Sequence, residues 1–453
     1  LPYKQQLAEK QKRMEELLKG ICPVKPIIGM KEPLHYRNKV HAVFGHDRKG
    51  NPLSGVYKEG THILVPVEKC LIEDEKADEI IGTIRGMLKS FKIRTFDEDT
   101  GYGFLRHVLV RRGFATGEIM VVLVTASPVF PSKNNFVKAL REKHPEITTI
   151  IQNINNRSTS MVLGDKEHVL YGRGYIEDVL CGLRFRISSK SFYQVNSAQT
   201  ELLYNKALQL AGLTGKEKAL DAYCGIGTIG LIASRKAGEV IGVELNPDAV
   251  RDAVQNAKMN DVKNIQFYCN DAGRFIVNMA EKGEKADVIL MDPPRSGSTK
   301  EFIDAVAKMG PERVVYVSCG PETLVRDLRW FMGNGYRAVE AWPVDMFGGT
   351  GHVETVVLLS KLKSAKSIEV KIELDEMDLT IAESKATYDK IKQYVLDKTG
   401  LKVSQLYIAQ VKRKHGLIEK INYNVGDGKA KVPQVPLEKE EAIEDALRHF
   451  KMI

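Results

Sequence analysis

Apolar positions along residues 1–21 fall at Leu7, Met14, Leu17, Leu18 and Ile21, a sparse stripe on one helical face that gives out near Gly20 and Pro23. This spacing predicts a single docking helix. From about 24 to 190 the pattern shortens into β-like runs between turn residues, at 40–44, 61–65, 107–111, 119–125 and 168–171, with helical spacing at 77–89 and 134–144. The mixture predicts an α+β domain. From about 192 to 362 strand-length apolar runs at 219–222, 240–243, 265–268, 288–291, 314–318, 336–342 and 353–359 alternate with helical segments. Strict alternation of this kind marks an open parallel sheet covered on both faces. No helix separates the last two runs, so the final strand is expected to return antiparallel. After Lys361 the segment 363–367 reads as a linker, followed by a small α+β module over 365–453 with a strand at 368–374 and a helix near 384–398.

Length agrees with several cores: 453 residues, at roughly 150 per domain, make about three. The divisions expected are 1–23, 24–190, 191–362 and 365–453. Lys and Arg outnumber Asp and Glu by 67 to 58, a net charge of +9, which favours a polyanionic partner without naming one. In the last module the run Lys412-Arg-Lys-His415 follows an apolar stretch at 406–411; such a run is as readily a solvated face, and the module as a whole is expected to be an accessory RNA-contacting or docking element. The six cysteines, Cys22, Cys70, Cys181, Cys224, Cys269 and Cys319, include no close pair, which argues against a disulfide framework or a complete zinc site and fits a reduced, cytoplasmic compartment. No run approaches the roughly 18 apolar residues of a membrane span, and residues 1–20 do not resemble a signal peptide; no membrane partner is expected.

Four groups of residues carry chemistry. Asp221-Ala-Tyr-Cys-Gly-Ile-Gly-Thr-Ile-Gly230 follows a strand and opens a helix, with Gly225, Gly227 and Gly230 in the G-x-G-x-x-G pattern. Glu244 closes the next strand, where a carboxylate can accept from both hydroxyls of a ribose. A dinucleotide and S-adenosylmethionine both fit that much. Asp221 separates them, since a carboxylate at the loop repels a pyrophosphate and suits a ligand bearing an ammonium and a sulfonium. The remaining groups are Asp292-Pro-Pro-Arg-Ser-Gly297, Ser318-Cys-Gly-Pro321 and His352-Val-Glu354, all at strand ends.

Together with Ser191-Phe-Tyr-Gln-Val-Asn196, these motifs fall in the order found in the RNA uracil-C5 methyltransferases, and the stretch 190–362 resembles that family, closest to the members acting on 23S rRNA. The resemblance implies a seven-stranded Rossmann-like S-adenosylmethionine methyltransferase sheet, a central RNA-binding domain over 24–190 and an N-terminal helix packed on the catalytic domain. It further implies that Gln194, Tyr223, Gly225, Glu244 and Asp292 bind S-adenosylmethionine, with Asp271 near the adenine. The chemistry explains why a thiol and a carboxylate are wanted together. Uracil C5 is too poor a nucleophile to take a methyl group unaided. A thiolate adding to C6 makes C5 reactive, and a base must then remove the C5 proton so that the thiol can leave. Cys319 and Glu354 supply these functions, and Arg295 and the helix after Pro321 are expected to favour the thiolate. The expected substrate is 23S rRNA, with the T-loop of tRNA as the alternative and the protein acting as a monomer.

Members acting on ribosomal RNA often carry a [4Fe-4S] cluster, and Cys70 matches its fourth ligand. Such a cluster needs four thiolates, so residues preceding Leu1 would have to supply three cysteines. Three rival readings fit these residues less well. A cytosine-C5 methyltransferase places its cysteine in a Pro-Cys motif at the fourth strand, where this chain has Asp292-Pro-Pro-Arg295. An amino-group methyltransferase favours an aromatic residue where Arg295 stands. A non-catalytic RNA-binding or assembly factor on the same fold has no use for Cys319 and Glu354.

Overall fold

The computed structural model describes residues 1–157, 161–362, 388–415 and 435–450. The chain forms two compact units, Leu1–Lys363 and Ser364–Ile453. The first unit opens with α1 (Tyr3–Leu17), shorter than its stripe suggested because Gly20 adopts a left-handed turn at φ +77°. Met14 and Leu18 bury completely.

The first sheet has the order β3-β2-β1-β4-β5-β6-β7, from β1 (Lys39–His46), β2 (Pro52–Tyr57), β3 (Leu64–Pro66), β4 (Leu105–Arg112), β5 (Ile119–Thr125), β6 (Ile147–Ile154) and β7 (Lys166–Tyr171). β5 and β6 run parallel, the other neighbours antiparallel. Helices α2 (Glu75–Met87) and α3 (Lys133–Lys143) pack on one face through Ile80, Ile84, Phe136 and Leu140. The opposite face contributes Leu109, Met120, Val122 and Ile151 to a second core. The hairpin β8 (Ile176–Leu180) and β9 (Leu183–Ile187) follows. Neither it nor β2 and β6 was expected from the sequence, and the strand expected at 61–65 begins only at Leu64.

The second sheet is built from β10 (Lys218–Ala222), β11 (Glu239–Glu244), β12 (Ile265–Cys269), β13 (Val288–Met291), β14 (Arg313–Ser318), β15 (Tyr336–Val344) and β16 (Glu354–Lys361). Its order is β12-β11-β10-β13-β14-β16-β15. The first five strands are parallel, while β16 inserts antiparallel between β14 and β15. This is the seven-stranded Rossmann-like sheet that the alternation predicted. One face is covered by α1, α7 (Ala272–Glu281), α8 (Lys300–Met309) and α9 (Pro321–Gly333) through Met14, Ile276, Phe302 and Phe331. The other face carries α4 (Ser197–Ala211), α5 (Thr228–Ser234) and α6 (Pro247–Met259) through Leu203, Ile229 and Ala257. That last core also contains Met120 and Val122 of the first sheet and Phe185 of the hairpin, so one apolar interior runs across the boundary expected near 190.

The second unit contains three described helices, Tyr388–Thr399, Gln405–Lys414 and Leu437–His449, around Ile391, Val395, Ile408, Val411, Ile443 and Leu447. The expected strand at 368–374 lies outside the described residues. The basic run is met within the unit: Lys414 pairs with Glu440, and His415 Nε2 lies 2.7 Å from Glu444 Oε1. Among the described residues no helix is long and apolar enough to cross a membrane.

Phe185 is completely buried where hairpin, first sheet and second sheet meet. Phe185→Ala is expected to lower the unfolding free energy of the first unit by about 3–5 kcal/mol, read from urea melts; a loss below about 1 kcal/mol would show that the shared core relaxes around the cavity.

Candidate functional site

Strand order reverses between β10 and β13, and open α/β sheets bind ligands beyond the carboxyl ends of the strands at such a point. The turn from β10 to α5 lies there. Gly227 has φ +84°, and a Cβ on it would come within 2.9 Å of the Phe267 ring, so only glycine fits. Gly225 is also left-handed, at φ +55°, but a Cβ there would meet nothing within 4 Å; the turn borders open space on that side. Tyr223 holds a left-handed backbone at φ +65° without being glycine, a strained state that persists where its surroundings over-determine it. Its ring packs 5.6 Å from that of Phe302, and its hydroxyl lies 3.4 Å from Ser298 Oγ.

Asp221 does not sit at the mouth of this turn as the sequence suggested. It is buried beneath it, and Oδ2 accepts from Gly230 N at 2.7 Å. Its carboxyl is pushed up to about 8 by burial, with the charges of Asp292 and Glu244 adding to the effect. Glu244, at the end of β11, accepts from Gly225 N at 3.0 Å through Oε2 and from Asn246 N at 2.8 Å through Oε1. Both oxygens are thereby held in place beside the turn. Asp271 caps α7, its Oδ1 accepting from Arg274 N at 2.9 Å. Gln194 is buried before α4, with its carbonyl accepting from Asn38 Nδ2 at 2.9 Å. Tyr204, a buried phenol on α4 whose hydroxyl lies 3.4 Å from Thr228 Oγ1, feels the charges of Asp292 and Asp221. Sequence reasoning missed Tyr204 because it falls within the apolar stripe of its helix.

Asp292 follows β13 and is half-buried. Burial pushes its carboxyl up to about 7, and among the described residues nothing hydrogen-bonds it. The loop behind it is pinned by α9: Thr323 Oγ1 donates to Arg295 O at 2.9 Å and Arg326 Nη2 to Ser298 O at 2.9 Å. Gly320 permits that approach, since a Cβ there would come within 2.9 Å of Arg295 O.

The pairing of β14 with β16 matches Ser318 to Thr355. Cys319 is the next residue after Ser318 and Glu354 the residue before Thr355, so both lie beside the last pair of these two strands. The electrostatics agree with this closeness. Burial pushes the half-exposed Cys319 thiol up to about 11, Glu354 and Asp292 push the same way, and Arg295 opposes them. Glu354 is buried and pushed up to about 8, again with Asp292 adding and Arg295 opposing. Arg295 therefore acts on the thiol in the expected direction but is outweighed. In the protein alone, burial and two carboxylates hold Cys319 as the thiol.

Cys70 stands apart from this cluster. Its amide donates to Asp78 Oδ2 at 2.9 Å. Among the described residues no group of three or more His, Cys, Asp or Glu side chains is arranged to hold a metal. These residues by themselves do not make an iron–sulfur site.

A carboxyl raised by folding binds a proton at pH values where the unfolded chain has released it. Its contribution to stability is full below the ordinary carboxylate range and is lost as pH rises through about 7 to 8. Glu354→Gln, which fixes the neutral form, is expected to melt higher than the parent at about pH 8.5 and alike at about pH 5. An equal difference at both pH values would show that folding does not raise Glu354.

Comparison with known proteins agrees with this geometry. The family described as tRNA (uracil-5-)-methyltransferase matches residues 2–362. An RNA methyltransferase of Caldanaerobacter subterraneus is 44% identical over 366 residues, 80% of this chain and 81% of the relative. One from Halalkalibacterium halodurans is 42% identical over 364 residues, 79% of each. The crystal structure of Pyrococcus abyssi tRNA (uracil-54, C5)-methyltransferase in complex with S-adenosyl-L-homocysteine is similar with a TM-score of 0.66 and 27% identity, covering 79% of this chain and 84% of that one. With a family match over four-fifths of its length and relatives above two-fifths identity, this chain belongs to the tRNA (uracil-5-)-methyltransferase family.

Proposed function

We propose that the protein transfers the methyl group of S-adenosylmethionine to C5 of a uridine in tRNA, through a covalent bond between Cys319 Sγ and uracil C6. The observation that carries this reading is the last β14–β16 pair, Ser318 with Thr355, which leaves Cys319 and Glu354 next to it in one electrostatic cluster with Asp292 and Arg295. The cofactor fits the residues present. Gly225 leaves room over the turn, Glu244 has both carboxyl oxygens held toward it, and the unpartnered Asp292 carboxyl, raised by burial, is suited to a cation. Gln194, Tyr223, Gly225, Glu244 and Asp292 would hold it, with Asp271 toward the adenine. The bound cofactor supplies an electrophilic methyl group on a sulfonium.

The chain's own residues do the rest. Cys319, its thiol proton released to solvent, forms the S–C6 bond, and the electron pair displaced onto C5 takes the methyl group. Glu354, as carboxylate, removes the C5 proton; the electrons of that C–H bond restore the C5–C6 double bond and expel the thiolate. Asp292, once its charge is balanced, no longer raises the thiol. The uridine must leave its stack to reach a half-buried thiol, which favours a loop over a duplex.

The family description and the Pyrococcus abyssi protein both name tRNA, which weighs toward a T-loop uridine over 23S rRNA. Methyl transfer from labelled S-adenosylmethionine is expected on unmodified tRNA, with little on 23S rRNA; the reverse order would return the reading to the ribosomal substrate. Cys319→Ala is expected to abolish transfer while cofactor affinity stays within about twofold, because the thiol contacts uracil and not the methionine moiety. Retained turnover in that variant would rule out the covalent route. Glu354→Gln is expected to methylate once and stall, leaving a protein–RNA adduct stable to denaturing electrophoresis.

A further inference from the structure

The loop that carries Glu354 into the site is ordered mainly from outside itself. It follows Val344, contains Gly348, Gly349 and Gly351, and ends at Val353, so an unfastened loop would sample many conformations. Much of its fastening comes from α1. Asp345 is completely buried; its Oδ1 accepts from Lys10 Nζ at 2.7 Å and its Oδ2 from the Tyr3 hydroxyl at 2.8 Å. The same Lys10 ammonium donates to Phe347 O at 3.0 Å. Further along, Gln6 Oε1 accepts from Gly349 N at 2.8 Å, and Arg13 Nη1 donates to Gly351 O at 3.1 Å.

Packing alone would not need these groups. Met14 and Leu18 already anchor α1 to the apolar interior, whereas a buried ammonium and a buried carboxylate each lose hydration that only a fixed partner restores. The pairing of Val344 with Glu354 makes Asp345 the immediate successor of the residue facing the base. A shift at Asp345 is thus transmitted to Glu354 through a single strand pair.

We propose that α1 is a positioning element for the elimination step, with Lys10 bridging Asp345 and Phe347 so that Glu354 stays near Cys319. Lys10 acts through Asp345 and touches neither reactant. The inference rests on the reading of Glu354 as the base that removes the C5 proton.

The test uses the full chain and begins with the parent, which must methylate tRNA or 23S rRNA and release it; failure there overturns the functional reading, and the inference with it. Lys10→Met is then expected to keep cofactor affinity and KM for RNA within about twofold while kcat falls about 10- to 100-fold. A covalent protein–RNA adduct should accumulate, as in Glu354→Gln. Lys10→Arg should restore most of the turnover and clear the adduct. Gln6→Ala, which removes one bond at the surface, should shift both readouts the same way by less. If Lys10→Met does not fold, Lys10→Arg and Gln6→Ala decide by the same adduct measurement. Folded variants with parental turnover, or with slowed turnover and no adduct, would overturn the positioning role.

Discussion

Side chains on a strand alternate faces with a period of two, so a one-residue slip of β16 against β14 would turn Glu354 to the other side of the sheet. Everything else about the site depends on that register. The antiparallel insertion of β16 delivers a carboxylate to the ends of the parallel strands from the opposite chain direction. A fully parallel sheet would reach the same crevice only through the residues that end each strand. The apolar run Val356, Val357 and Leu359, buried between β14 and β15, fixes the register with hydrophobic burial, and the Glu354 carboxyl stands at the edge of that run.

The consequence is a cluster of buried carboxyls. Asp221, Asp292 and Glu354 are all raised well above ordinary carboxylates, with burial the largest cause in each case. Burying polar groups without full compensation costs stability, and such strain concentrates where a ligand of opposite charge completes the arrangement. Arg295, which opposes these shifts at Cys319 and Glu354, sits on a loop that α9 pins through Thr323 and Arg326. Its influence therefore depends on Gly320, which lets that loop approach the end of β14.

Several long-range contacts hold these parts in place. Residues of the first sheet, the β8–β9 hairpin and α4 share an interior with α5 and α6. Asn38 at the entry to β1 donates both to the Gln194 carbonyl and to Ser197 Oγ at 3.0 Å. The first sheet thus touches the loop before α4 at Gln194, and α1 touches the loop before β16.

By itself the sequence determined the alternation that makes the second sheet, and it located strands 119–125 and 288–291 at their observed bounds, because runs buried on both faces are apolar throughout. It also singled out Cys319, Glu354, Asp292 and Glu244, since reactive residue types at strand ends are visible without a structure. β2 escaped notice because it starts at a proline and contains Ser54 and Gly55, which read locally as a turn. β6 escaped because Gln152 and Asn153 look solvent-exposed in sequence; their partners, Thr125 Oγ1 at 2.9 Å and Glu167 Oε1 at 2.9 Å, come from other strands. Only the tertiary structure decided that Asp221 lies beneath its turn, that burial and carboxylates outweigh Arg295 at the thiol, and that Lys10 meets Asp345 across the length of the unit. Each of these depends on desolvation or on a contact between residues far apart in sequence, quantities that folding creates and that local pattern does not contain.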